Sequence, residues 1–326
     1  MGMGGAVVAT VNDETALLSN PAALGKLRDV FVTIVDPEVE GNLYVERTLG
    51  VQFYNASDPQ FVLDSIKNDP DQRVHLKTQV FPSIIFPNFG IGVHGNYMMD
   101  SQVNSTTSTF EYKYRNDWSA VAGLNFRIWD GRIKIGANAR YTNRAEVDET
   151  ELDSAATDLQ LDSMLKEGIG ISSDVGIMFV APVTWLPTLA AVWRDVGDTS
   201  YAVQEGMLHS TAERPNSVTN SLDVGLAVFP IHGRRLRSSW TVELRDVLTK
   251  DTETEPVLRR IHGGFELNYA DALFFRGGMN QRYWTAGLEL AMFNYQLQAA
   301  TYGEDIGTAD TPLEDRRYVL KFSFRF

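Results

Sequence analysis

The chain has 326 residues, 44% hydrophobic and 11% aromatic, with 26 Gly, 12 Pro and no Cys, which excludes disulfides and thiol catalysis. Its 42 acidic residues outnumber 29 Lys and Arg, for a net charge of −13; such a surface repels nucleic-acid phosphates, and no basic patch of convincing size is visible along the chain. No stretch reaches the roughly 18 apolar residues of a spanning helix, so a membrane, if crossed, is crossed by strands.

Met1 to Gly5 shows neither the basic start nor the apolar run of a signal peptide, so an export signal is either already removed or never used. Residues 6–27 are small and polar and are broken at Asn20-Pro21, which predicts a compact element that is not a strand. Alternation begins after Arg28. From Phe110 to Ile128 the even positions read Phe, Tyr, Tyr, Asn, Trp, Ala, Ala, Leu, Phe, Ile, while the odd ones carry Glu111, Lys113, Arg115, Asp117 and Arg127. A period of two held this long is a strand with one oily and one charged face. Asp130-Gly131 makes a tight turn, and Ile133, Ile135, Ala137, Ala139 and Tyr141 repeat the pattern on the return.

Strands of soluble sandwiches average about five or six residues, and these are far longer. Trp118, Tyr112 and Tyr114 at one end and Trp129 at the other resemble the aromatic girdles of a lipid-facing band. Further strands are expected near 168–181, 186–201, 217–230, 235–248, 258–269, 272–280, 284–291, 293–303 and 317–326, and upstream near 29–36, 77–86 and 89–101, for about fourteen in all. Short links at Pro87-Asn88, Asp130-Gly131, Pro182 to Trp185, His232-Gly233, Ala270-Asp271 and Met292-Phe293 alternate with longer ones near 37–76, 102–107, 148–167, 202–216, 249–257 and 304–316. That asymmetry predicts an all-β antiparallel outer-membrane barrel with both termini periplasmic, contacting lipid and lipopolysaccharide. Asp58-Pro59 with Phe61, Val62 and Ile66, and Ala156 to Lys166 with Leu159, Leu161 and Leu165, predict helices in two outer loops; their apolar faces either pack over the barrel mouth or meet a protein partner at loops 58–68 and 155–167.

The opening residues with Asp13, Ala16 and Ser19-Asn20-Pro21-Ala22-Ala23-Leu24 resemble the start of the FadL-type superfamily of outer-membrane barrels, which includes long-chain fatty-acid and hydrocarbon transporters, PorV-type secretion barrels and TraF-like proteins. The final strand agrees: Tyr318, Phe322, Phe324 and the last residue Phe326 resemble the terminal signal that the barrel-assembly machinery reads. Residues 189–197 are similar to the family's mid-barrel strand, with Asp195 where Asn is more usual. The resemblance implies fourteen strands (28–326) around an N-terminal plug (1–27) carrying Asp13, Asn20, Pro21 and Ala22. It also implies one of two roles. A transporter passes an apolar ligand such as a fatty acid sideways into the bilayer through a strand defect; a PorV-like barrel holds a protein partner.

The inward face carries Lys113, Arg115, Arg127, Lys134, Arg140, Arg144, Arg194, Arg245 and Arg276 among acids that include Asp117, Asp174, Asp223, Glu243, Glu266 and Glu289. Paired networks are the plain expectation at this density. The sharper one is that Arg115, Arg140, Arg144, Arg245 or Arg276 grips a ligand carboxylate through a bidentate fork. Gly90, Gly92 and Gly95 in the third strand suit either a side opening or close approach of plug to wall. The five histidines lack metal-ligand spacing, and no catalytic triad or nucleotide fingerprint stands out; neither cofactor, metal nor enzyme chemistry is expected.

Overall fold

The computed structural model describes residues 1–248, 256–308 and 310–326, and 55% of the chain is strand. The loop expected near 249–257 falls mostly outside the described residues. Fourteen antiparallel staves close into a barrel. Stave β1 is Phe31–Val35 continued by Glu38–Asn42, and β2 is Arg73–Val80 continued by Ser83–Phe86. The others are β3 Phe89–Asn104, β4 Thr109–Ile128, β5 Ile133–Asp153, β6 Lys166–Val180, β7 Thr188–Arg194, β8 Ser221–Val228, β9 Leu236–Leu244, β10 Ile261–Tyr269, β11 Leu273–Asn280, β12 Tyr283–Met292, β13 Tyr295–Asp305 and β14 Glu314–Arg325.

An open sheet edge in hydrocarbon would leave a row of backbone groups unpaired, so the sheet must close. Closure joins β14 to β1: Arg317 to Lys321 pair with Asn42 to Glu38, Thr33 faces Arg325, and Val32 and Phe326 exchange N–H···O bonds of 3.0 and 2.9 Å. β1 and β14 therefore start and end at the same rim, the one bearing the short turns. Those turns use left-handed backbone at Asn88 (φ 71°), Asp130 (φ 54°) and Gly131 (φ 78°). The opposite rim carries the long loops with two exceptions, since residues 105–108 alone join β3 to β4, where a longer link was expected, and Gln281 and Arg282 alone join β11 to β12. β7 stops at Arg194, short of the expected 201, because Asp195 turns left-handed (φ 47°) and leads Tyr201 into the barrel.

Sidedness holds along β4, but what covers the oily face changes with height. Even residues from Trp118 to Ile128 are exposed and odd ones from Asp117 to Asn125 buried. Phe110, Tyr112 and Tyr114 share the outer side yet are buried, so the lipid-facing assignment of Phe110 to Ile128 is corrected to Trp118 to Ile128. Helices Leu43–Thr48 and Pro59–Ile66 and residues 154–165 fold against this upper wall from outside, where Val62, Leu63 and Ile66 meet Met99, Phe110, Tyr112 and Val147. Asp58 caps the second helix by accepting from the N–H groups of Gln60 and Phe61 at 3.0 and 3.2 Å, with Pro59 at its first position. The Tyr112 hydroxyl donates to the Ala56 carbonyl at 3.1 Å, and Gln60 ties the two loops together through Ala156 and Leu159. The loops thus clad the wall beyond the exposed apolar band instead of lying over the mouth.

Deleting Phe326 removes both hydrogen bonds to Val32 and is expected to reduce the heat-modifiable, folded barrel in outer-membrane fractions at unchanged synthesis. An arginine at Leu124, in the exposed apolar band, is expected to cost about 2–4 kcal/mol in urea unfolding from lipid vesicles, against no change for Thr107→Arg in an exposed loop. Gly123 and Asn125 are unsuitable inward controls, because Leu17 and Ala22 press on them.

Candidate functional site

Residues 1–27 lie inside the barrel, two thirds of them buried and only Met1 and Asn12 exposed. Small residues let this segment touch the wall closely. Gly2 and Gly4 meet Gly287 and Gly278, and a side chain at Gly136 or Gly176 would overlap Pro21 or Asn20. Asn20 organises the bend: its side chain accepts from the Ala22 N–H (3.0 Å), caps the short helix Pro21–Lys26, and donates to the Val8 carbonyl (2.8 Å). Asp13 acts locally, accepting from the Thr15 N–H and hydroxyl at 3.0 and 2.5 Å.

The wall meets the segment's peptide groups one by one. Glu243 accepts from the N–H groups of Val7 and Val8 at 2.8 and 2.9 Å. Thr285 accepts from the Gly4 N–H and donates to the Gly2 carbonyl at 3.0 and 2.9 Å. Asn125, Asn138 and Arg194 donate to the carbonyls of Ala22, Leu17 and Ser19 at 3.0, 2.8 and 3.1 Å. An apolar cluster of Val8, Leu17, Leu24, Phe81, Ile85, Met178 and Val192 fills the space between.

The five candidate arginines do not form one cluster, although Arg115 and Arg144 share Glu146 at 3.5 and 3.8 Å. Arg140 donates to Asp174 and Asp195, both at 3.1 Å, and Arg144 forks onto Asp117 at 2.8 and 2.9 Å while its guanidinium lies 4.3 Å from the Tyr201 ring. Arg245, on the far side, bonds Glu243 at 2.9 Å and the Gly5 carbonyl. Arg276 joins Glu266 at 2.8 Å and Glu289. Arg115 is the least engaged, 3.5 Å from Glu146 with its side chain 38% exposed. Arg127 and Lys134, expected on the paired inner face, have no carboxylate within bridging distance among the described residues; Arg127 is exposed at the short-turn rim, and Lys134 is buried and donates to the Gly131 carbonyl at 2.7 Å.

Two features escaped the sequence. His75 sits between Asp100 at 2.9 Å and Glu40 at 3.0 Å, with the Tyr302 hydroxyl on Glu40 and Arg317 beside both acids, locking β13, β14 and β1 to β3 across the closing seam. Its partners lie 25 and 35 residues away, and only alternation hinted that they share a face. The second feature is a notch where Asp36-Pro37 interrupts β1 and Phe81-Pro82 interrupts β2. Proline cannot donate to the ladder, and register slips between Thr33 and Val35. The Asp36 carboxylate bridges the break, accepting from the Phe81 N–H and lying 3.4 Å from the Lys321 ammonium.

Just inside the notch the hydroxyls of Thr33, Ser83 and Ser323 are buried without a hydrogen-bond partner among the described residues. Outside it, a groove of about 710 Å³ opens on the exposed face between Ile34, Ile84, Ile91, Val93, Ala122 and Tyr141. Gly90, Gly92 and Gly95 stand beside this notch in an unbroken stave paired along both edges; Ile85 and Leu17 occupy the space over Gly90, Phe81 and Ser83 that over Gly92, and Trp118 and Val80 that over Gly95. No metal-binding group of side chains occurs among the described residues.

No family model and no curated protein matches the sequence. Solved structures do share its fold. The Ralstonia pickettii toluene transporter TbuX matches with a TM-score of 0.54 and 14% identity over 100% of this chain and 97% of that one. The Pseudomonas putida toluene transporter TodX gives 0.59 and 11% over 99% and 96%. A Pseudomonas aeruginosa FadL homologue gives 0.52 and 11% over 100% and 96%. The chain therefore folds as a FadL-type outer-membrane barrel.

Because the Pro21 carbonyl occupies the place of a side chain at Gly136, Gly136→Val is expected to dislodge residues 1–27 while the barrel assembles. Single-channel conductance should rise above that of the parent, and limited proteolysis should release the N-terminal segment.

Proposed function

We propose that this FadL-type barrel is an outer-membrane channel for a small hydrophobic molecule, with residues 1–27 as its plug and the notch in β1 and β2 as its side exit. The observation that carries this reading is the apolar groove against a wall interruption whose inner lip has three unpartnered hydroxyls. An apolar ligand gains nothing from the ion-paired lumen and gains by leaving for hydrocarbon. Its path runs from the long-loop rim, past the plug, to the notch. In this reading the short-turn rim and both termini face the periplasm. The three hydroxyls suit a ligand with one polar end, so a long-chain fatty acid fits better than the toluene carried by TodX and TbuX; the paired arginines argue against a fixed carboxylate clamp.

A second reading is favoured by a separate observation: the loops around 58–68 and 155–167 are tied to each other and clad the outer wall as one built platform, which suits a barrel that anchors a protein partner.

Uptake of labelled long-chain fatty acid and labelled toluene by intact cells tests both readings. Deleting residues 2–20 is expected to raise passive leakage and abolish selective uptake, and Ile84→Trp, which fills the groove, to slow uptake with the barrel still inserted. Uptake indifferent to the whole protein overturns the channel, and partner loss only on altering loops 58–68 or 155–167 supports the platform.

A further inference from the structure

Basic residues are distributed unevenly about ion pairing. Inside the barrel Arg140, Arg144, Arg194, Arg276 and Arg317 all have carboxylates within 4.0 Å. At the short-turn rim Arg28, Arg127, Arg132, Lys134, Arg234 and Arg235 have none among the described residues. The rim's acids offset this only in part: Asp271 takes Arg237 at 3.4 Å, and Asp29 and Asp130, exposed and without an ion pair among the described residues, are two against six. A chain with a net charge of −13 thus concentrates uncompensated positive charge on one rim.

That rim also exposes apolar tips. Trp129, Trp185, Ile231 and Phe293 are each more than half exposed, and the Arg132 guanidinium lies 5.1 Å from the Trp129 ring centre. Aromatic rings with cations at the end of an apolar band match the depth where headgroups begin. Just inside, burial and the neighbouring Lys134 push the Lys26 ammonium down to about 8, against a smaller opposing pull from Asp13.

We propose that the short-turn rim docks the phosphate diesters of anionic phospholipids, through one arc at Arg127 and Arg132 and a second at Arg234 and Arg235. The occupant is a lipid because the tips beside the cations are apolar; an acidic soluble partner would leave them in water. This rests on the reading that the barrel spans a bilayer, which heat-dependent gel mobility reports independently of lipid binding.

The full chain is reconstituted in phosphatidylcholine vesicles with or without phosphatidylglycerol, and the lipids retained on the released barrel are counted by native mass spectrometry. The parent is expected to retain phosphatidylglycerol over phosphatidylcholine. Arg127→Gln with Arg132→Gln, and Arg234→Gln with Arg235→Gln, should each weaken that retention at low salt by roughly fivefold per cation removed, with insertion unchanged. Arg47→Gln with Lys67→Gln at the opposite rim should have no effect. Equal retention of both lipids by the parent, an equal loss in the opposite-rim variant, or an acidic protein carried in place of lipid would overturn the proposal.

Discussion

Every peptide group that residues 1–27 carry into the barrel must be satisfied there, and the segment is too short to do it alone. Its helices span four and six residues, and a helix that short leaves most of its terminal N–H and C=O groups without internal partners. The wall therefore has to be polar at chosen points. Each such point then needs support of its own. Asn138 donates to the Leu17 carbonyl and to Asp174, Asp174 receives Arg140, and Arg140 holds Asp195, where β7 ends. The demand of one buried strand of backbone thus propagates through four wall residues to the shape of an outer loop. Where the segment comes closest, the wall answers with glycine instead.

The same logic separates two populations of charge. A charge in the crowded interior is costly unless paired and hydrogen-bonded, and there the arginines are committed to acids, to carbonyls of residues 1–27 or to both. At the short-turn rim water and headgroups can solvate a cation, so pairing is not enforced. The interior is thereby fixed architecture, and the unpaired cations are left to the rim.

Much of this was legible in the sequence because the two strongest signals are periodic. Alternation through Phe110 to Ile128 and its echo from Ile133 located the longest hairpin, and turn residues such as Asp130-Gly131 marked the rim of short turns. Asn20-Pro21 marked the bend that the wall grips. Alternation reports a side, however, and never what lies on it, so Phe110, Tyr112 and Tyr114 read as lipid-facing although helices cover them. The seam around His75 and the unpaired basic rim were invisible for a different reason. Their members sit in separate staves or turns, one or two to a segment, and only closure of the sheet collects them.

The wall is markedly uneven in height. β4 has 20 residues and β11 only 8, and at about 3.3 Å per residue the difference is close to 40 Å along the strand. The long side, thickened by the helices of the first outer loop, stands clear of the bilayer like the back of a chair, while the two-residue link at Gln281 and Arg282 keeps the other side low. In a crowded membrane, a neighbouring barrel can then approach more closely above the bilayer at β11 and β12 than at β4. Lateral packing of the protein is polarised before any specific contact between molecules is made.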